Sequence, residues 1–227
     1  VQYSGEENLE VMQYADNYNN LLLKKIINTM PSSANNIVDF GAGNGCFAKK
    51  LSKQYNKHII CIEPAHNMHH HLKGFILHNS LQDLSDKSQD FIYSLNVLEH
   101  IEDDTFVLAE MHQKLKRHGR IFIYVPAFML LYSAMDKKVG HYRRYSKKEL
   151  ISKVSQAGFD IVDCRYADFA GFFATLFFKL FSRSCGNLNI RHLKFYDKFI
   201  FPFSRLLDCL TQGKLLGKNI CLQAIKK

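Results

Sequence analysis

The sequence predicts an α/β fold in which a parallel sheet is covered by helices on both faces. Short apolar runs of strand length alternate with amphipathic segments of helix length from about residue 36 onward. Strands separated by helices need crossovers, which make neighbouring strands parallel and bury both faces of the sheet. The composition agrees. The chain has 227 residues, 47% apolar and 22% charged, with 12 Gly and four Pro. That is enough for one large domain with a sizeable core, and it excludes disordered and collagen-like classes. No run reaches the roughly 18 apolar residues that a membrane-spanning helix needs.

Each element follows from its own pattern. Residues 6–29 carry Leu9, Met12, Leu21, Leu22, Ile26 and Ile27 at helical spacing and stop at Pro31, which predicts one leading helix. Residues 37–40 (IVDF) are a short buried strand, followed by a glycine loop and a helix to about Tyr55. Residues 58–63 (HIICIE) form the second strand, ended by Pro64 and a helix over 66–73. A weaker third strand covers 75–77, a fourth 90–95 (DFIYSL), and a helix 102–116. The fifth strand, 119–125 (GRIFIYV), closes at Pro126. Then come a polar loop (133–146), a helix (147–157), a strand (159–166), a very apolar segment (169–181), a helix (193–212) and a final strand (219–225). With no internal repeat and no flexible linker, 1–227 reads as one domain. Residues 1–30 hold its N-terminal helix, and 167–213 are an apolar, basic helical insertion before the last strand.

The six cysteines, at 46, 61, 164, 185, 209 and 221, contain no CxxC pair, and four lie in apolar segments. They read as buried, reduced thiols of a cytosolic protein. The formal charge of +9 is uneven: residues 1–136 hold 12 Lys/Arg against 15 Asp/Glu, and 137–227 hold 18 against 6. A basic half points to an anionic partner such as nucleic acid, lipid headgroups or a phosphorylated substrate, or else to a merely solvated basic face.

Asp39-Phe40-Gly41-Ala42-Gly43-Asn44-Gly45 joins the first strand to its helix. Glycines let a backbone approach a ligand, and the helix start offers free N–H groups. Glu63 ends the next strand, 22 residues past Gly41, where a carboxylate can accept hydrogen bonds from both ribose hydroxyls of a nucleoside. A dinucleotide fingerprint needs its third glycine three residues beyond the second; position 46 is Cys, and the third glycine comes at 45. Asp39 suits a cationic ligand better than a pyrophosphate. The D-x-G-x-G-x-G run with its acidic strand end resembles the S-adenosylmethionine (SAM) site of class I methyltransferases; NAD(P) and a purely structural turn are the alternatives. Asp90-Phe91-Ile92, Asn96-Val97-Leu98-Glu99-His100 and Gly119-Arg120-Ile121-Phe122-Ile123 are similar to that family's fourth- and fifth-strand segments. The likeness covers about 36–127 and, more loosely, 136–166.

The resemblance implies a doubly wound, Rossmann-like sheet of seven strands, order 3-2-1-4-5-7-6, with the last strand antiparallel. It implies SAM as cofactor and S-adenosylhomocysteine as product. Gly41 and Gly43 would approach the methionine part and Glu63 the ribose, with Asp39, Ala42, Gly45 and Pro64 completing the set. Ser80 and Leu81 would flank the adenine, and Asn96 would meet the amino-acid end. Ser80 stands where many relatives have Asp, so adenine recognition falls to backbone groups or to Gln82. Tyr18, with Tyr14, either covers the cofactor or packs the core.

His66, His69, His70 and His71 sit where a crossover helix begins, and no Cys or carboxylate set completes a site, so no metal is expected. Glu102-Asp103-Asp104 reads as an acidic helix start. Glu99-His100 sits at the carboxyl edge of the sheet, the expected place for ligands, and His100 is a candidate base or a capping or packing residue. Residues 136–145 (DKKVGHYRRY) follow the fifth strand. Arg suits bidentate recognition of phosphate or carboxylate, and His titrates near neutrality. Asp136, Tyr142, Arg143 and Arg144 are therefore candidate acceptor-binding residues, with a basic loop capped by aromatic packing as the alternative. The Gly-His-x-Arg-Arg-Tyr pattern resembles a bacterial methyltransferase subgroup loosely associated with lipid or glycan assembly.

The expected activity is SAM-dependent methyl transfer to a small-molecule, lipid-linked or glycan-related acceptor, with His141 the first candidate base and His100 the second. A nucleic-acid (RNA) methyltransferase using the basic half is one alternative, although Asn96 is followed by Val97-Leu98 rather than Pro-Pro-aromatic. A non-catalytic SAM-fold binding protein is the other. Residues 169–178 (FAGFFATLFF) end at Lys179. Ten helical residues span about 15 Å, half a hydrocarbon core, so they would lie in an interface rather than cross it. Lys179, Arg183, Arg191, Lys194 and Lys198 would face anionic headgroups, and 199–203 would add a second apolar patch. A lid or a dimer interface is the rival reading. The expected location is cytoplasmic, peripheral at the inner membrane face.

Overall fold

The apolar runs assemble into one seven-stranded sheet of order β3-β2-β1-β4-β5-β7-β6. The computed structural model describes residues 5–181 and 189–227. The strands are β1 (Ile37–Phe40), β2 (Ile59–Ile62), β3 (Ile76–His78), β4 (Gln89–Leu95), β5 (Leu115–Pro126), β6 (Phe159–Ala167) and β7 (Asn219–Lys226). β1 is central and buried along its whole length, pairing in parallel with β2 (Asp39 opposite Cys61) and β4 (Asp39 opposite Tyr93). β4 and β5 continue the parallel ladder, and β7 runs antiparallel between β5 and β6. The order is the one the resemblance implied.

The helices are α1 (Glu6–Met12), α2 (Asp16–Thr29), α3 (Cys46–Tyr55), α4 (Asp104–Lys114), α5 (Ala134–Lys138), α6 (Lys147–Gln156), α7 (Phe169–Phe181), α8 (Ile190–Phe195) and α9 (Phe201–Leu210). They cover both faces of the sheet, so alternate side chains of each strand enter two separate cores. One holds Val38, Ile92, Ile121, Ile123 and Leu222 with Leu108 and Val154 from α4 and α6. The other holds Ile37, Phe91, Tyr93 and Phe122 with Ile26 and Leu51 from α2 and α3.

Several boundaries differ from the sequence reading, for physical reasons. The leading segment is two helices, not one. Asn19 folds back to donate to the Met12 and Gln13 carbonyls, while Asp197 accepts from the backbone N–H groups of Asn17 and Tyr18. The first turn of α2 is thus capped from the far end of the chain. Residues His66–Leu72 form a 3₁₀ helix, with the His69 ring reaching back to the Glu63 carbonyl. The segment 193–212 divides into α8, a π-turn at Tyr196–Ile200 and α9. The polar loop contains α5, closed by a Ser133/Asp136 capping box.

Among the described cysteines, Cys61 and Cys221 are buried, Cys46 and Cys164 are part-buried, and Cys209 is exposed, against expectation; Cys185 lies outside the described residues. Burial pushes the Cys164 thiol up to about 12 and Cys221 to about 11, which keeps both protonated.

The helical insertion hangs from one buried carboxylate. Asp168, 3% exposed, accepts from the Tyr196 and Ser204 hydroxyls at 2.6 and 2.8 Å and from the Gly171 N–H. Asp208 in turn accepts from the N–H groups of Asp168 and Phe169. Phe172 and Phe201 turn inward, whereas Phe173, Phe177, Phe178, Phe195, Phe199 and Phe203 are between 49% and 61% exposed. Among the described residues no helix is long and apolar enough to cross a membrane.

Candidate active site

The strand order reverses beside β1, so the loops leaving β1, β2, β3 and β4 converge at the carboxyl edge of the sheet, where such folds bind ligands. Gly41, Gly43 and Gly45 have φ of +76°, +54° and +69°, the left-handed region that favours glycine. The Gly41 and Ala42 N–H groups donate to the Ile62 carbonyl, tying the loop to the end of β2. A Cβ at Gly41 would run into Val97, and one at Gly43 would come within 3.1 Å of Leu9. The loop thus has no room for side chains at these positions.

Glu63 is the partner of that loop. It is 7% exposed, and its two oxygens accept from the Gly43 N–H at 2.8 Å and the Ala65 N–H at 2.9 Å. Pro64 is exposed beside it. Asp39 lies beneath the loop. Burial pushes its carboxyl from 3.8 up to about 7, with the Tyr93 hydroxyl lowering it and the Glu63 charge raising it. α1 lies across the loop: the Asn44 side chain donates to the Leu9 carbonyl, and Asn67 donates to Glu6. A cleft of about 340 Å³ lined by Glu10, Val11, Gln13, Tyr14 and Ile190 opens on the outer side of α1, away from the glycines.

Beyond β3, Ser80 opens a short 3₁₀ turn and Leu81 is buried beneath it. The Asp83 carboxylate accepts from the Asn79 and Ser80 N–H groups at 3.2 and 3.1 Å. Asp83 thus closes a capping box on the turn after β3, which the sequence reading missed. Asn96, with φ +53°, is exposed at the end of β4 and donates its N–H to the Tyr124 carbonyl. The Tyr18 ring meets Tyr124 and Phe201 edge-on, and burial pushes its hydroxyl up to about 12 against hydrogen bonds with Tyr124 and Asn96. Tyr18 both packs the core and reaches the Asn96 corner.

A second cluster stands at the ends of β4 and β5. Asp136 is 2% exposed and gathers the basic loop: the His141 Nδ1 lies 2.7 Å from it, and Arg144 donates to both its oxygens at 2.8 and 3.1 Å. Burial opposes the Asp136 charge, but the hydrogen bonds from His141 and Arg144 outweigh it and hold the carboxyl far below its usual range. Arg143 is committed elsewhere, to Asp104 at 3.1 Å and the Glu102 carbonyl. Asp104 also binds the Tyr145 hydroxyl and Lys153. Tyr142 is 54% exposed. Glu99 is fully buried, and burial pushes its carboxyl up to about 8. His100 and His141 meet ring to ring at 4.5 Å, and burial lowers His100 to about 4, with the His141 charge adding to the effect. Lys218, just before β7, reaches the same edge; burial lowers its ammonium, opposed by the Asp168 charge. The sequence placed Glu99 beside His100 at the ligand edge but did not show its burial, and Lys218 was not separable from an ordinary surface residue.

The comparisons agree with this fold. A family model described as a methyltransferase domain matches residues 12–163. No curated protein matches the chain in sequence. Among solved structures, a SAM-dependent methyltransferase from Archaeoglobus fulgidus is 17% identical with a TM-score of 0.62, covering 92% of this chain and 94% of its own. One from Mesorhizobium loti is 14% identical with a TM-score of 0.58, covering 88% and 95%. Phosphoethanolamine N-methyltransferase 2 of Haemonchus contortus, in complex with SAM, is 15% identical with a TM-score of 0.61, covering 92% and 52%. The family match spans both the glycine loop with its Glu63 partner and the loop of residues 133–146, and the chain belongs to the methyltransferase-domain family, whose methyl donor is S-adenosylmethionine.

Proposed function

We propose that the protein transfers a methyl group to a lipid-linked or similarly amphiphilic acceptor at an anionic membrane surface. The observation that carries this is the outer face of the insertion. Six phenylalanines are at least 49% exposed on α7, α8, the π-turn and α9, and exposed apolar side chains concentrated on one part of a fold mark interaction surfaces. The surface charge matches. The insertion's three acids, Asp168, Asp197 and Asp208, are all turned to backbone or hydroxyl groups of the chain. Its described outer charges are Lys179, Arg191, Lys194, Lys198 and Arg205; Arg183 lies outside the described residues. An apolar face with only cations around it fits a headgroup layer.

SAM, when bound, supplies an electrophilic methyl group for in-line attack by the acceptor nucleophile. The chain's own part is positioning, which is worth roughly 7–11 kcal/mol when reacting atoms are held in near-attack geometry. In this reading Glu63 and the glycine loop fix the donor. His141, held by Asp136, and His100 face the acceptor, with exposed Tyr142 beside them. Arg143 and Arg144 act by shaping the loop through Asp104 and Asp136.

Liposome flotation tests the proposal. The protein floats with vesicles containing anionic lipid, not with neutral ones, and the Phe173→Asp/Phe177→Asp variant stays at the bottom while keeping its fold by circular dichroism. A wild-type protein that never floats, and instead binds RNA with a steep salt dependence, would overturn the membrane reading and favour a nucleic-acid acceptor.

A further inference from the structure

We propose that Glu99, His100 and His141 form a binding site for a divalent transition-metal ion at the acceptor edge of the sheet. The first observation is Glu99 itself. It is 0% exposed, and neither of its carboxylate oxygens has a hydrogen-bond partner. A buried carboxylate without partners is rare and costly, and it calls for a cation or a proton at that point.

The second observation is the histidine that faces it. His141 uses Nδ1 on the Asp136 carboxylate at 2.7 Å. A carboxylate there favours the tautomer with the proton on Nδ1, which leaves Nε2 with a free lone pair. That Nε2 lies 3.9 Å from Glu99 Oε1. The separation is too long for a hydrogen bond. It suits two ligands of one ion, because atoms each about 2.1 Å from a metal lie roughly 3–4 Å apart. His100 supplies the third ligand: one ligand atom from each of the three residues falls within 4.8 Å of the others.

The surroundings are those of a metal centre. Asp136 orients His141 from outside the ligand set, and Arg144 locks Asp136 with two hydrogen bonds. A carboxylate behind a ligating histidine fixes its ring and raises its basicity. Two imidazoles and one carboxylate suit zinc, manganese, iron or cobalt better than calcium or magnesium. Three protein ligands leave open positions on such an ion, and an oxygen of the acceptor is the ligand we assign to them. Glu6, His70 and His71 are also grouped, but there Glu6 accepts from Asn67 and the His70 ring meets the Asn67 carbonyl. His71 Nε2 has no hydrogen-bond partner, but Glu6 is part-exposed and already accepts from Asn67, so no buried, unpartnered carboxylate there calls for a cation.

The site is independent of the membrane reading, and its test needs no acceptor. The full chain is stripped with a chelator and titrated with Co²⁺ or Zn²⁺, following cobalt absorption, bound metal after dialysis and melting temperature. One equivalent binds and raises the melting temperature. Glu99→Gln and His141→Ala abolish binding, and Asp136→Asn weakens it about 10–100-fold. His70→Ala/His71→Ala leaves it unchanged. Retained S-adenosylhomocysteine binding shows that each variant is folded; if Glu99→Gln fails to fold, His100→Ala, on a part-exposed side chain, carries the test. The proposal is overturned by the lack of saturable binding below about 1 mM. It is equally overturned by binding that survives Glu99→Gln, or His100→Ala in its place, or that disappears with His70 and His71.

Discussion

Asp39 shows how one residue couples the cofactor loop to stability. Its carboxyl is buried at the end of β1 with the Tyr93 hydroxyl and the Glu63 charge beside it, and its folded value is about 7 against an ordinary 3.8. A raised acid favours the protonated state on folding. Its penalty is therefore absent below about pH 4, grows as pH rises and is complete above about pH 7. A shift of about three units corresponds to an upper bound of about 4 kcal/mol. Asp39→Asn removes this penalty, so the variant gains on the wild type between about pH 5 and about pH 8, by on the order of 2–4 kcal/mol. Urea denaturation at the two pH values reads this directly. A difference between the proteins that does not change with pH would mean that Asp39 stays ionised when folded.

At the scale of elements, the insertion is fastened to the N-terminal helices by Asp197, whose carboxylate caps α2 from a distance of 180 positions in the chain. Asp197→Ala uncaps that helix and is expected to cost about 1–2 kcal/mol. Hydrogen exchange should then speed up at Asn17 and Tyr18 and in the π-turn together; acceleration in the π-turn alone would show that the cap does not couple the two. This contact also marks the limit of what the sequence could tell. The strands were legible because buried parallel strands are near-continuous apolar runs, as in 37–40 and 119–125, each broken by one charged residue, Asp39 and Arg120. The order of the sheet came from the family resemblance and not from the runs. The break between α1 and α2 was illegible because its cause lies in the insertion. The tight turns of the glycine loop were legible from Gly41, Gly43 and Gly45, since local spacing fixes their geometry. The surroundings of Asp83, Glu99 and Lys218 were not, because only the folded chain shows that Asp83 caps the turn after β3 and that the buried Glu99 carboxylate has no hydrogen-bond partner.

For the whole molecule, the two halves of the chain divide the work. The slightly acidic half, 1–136, builds β1–β5 and the glycine loop with Glu63, and the basic half contributes the Arg143/Arg144 loop and the insertion with its exposed phenylalanines. The account stands first on the donor site, and calorimetric titration with S-adenosylhomocysteine tests it most directly. The wild type is predicted to bind one equivalent. Glu63→Ala is predicted to bind at least roughly tenfold more weakly, since a hydrogen bond to a charged group is worth about 1.5–3 kcal/mol. His141→Ala, on the acceptor side, is predicted to bind as the wild type does. No binding by a folded wild type, or equal loss in both variants, would contradict the assignment of the glycine loop and Glu63 to the donor.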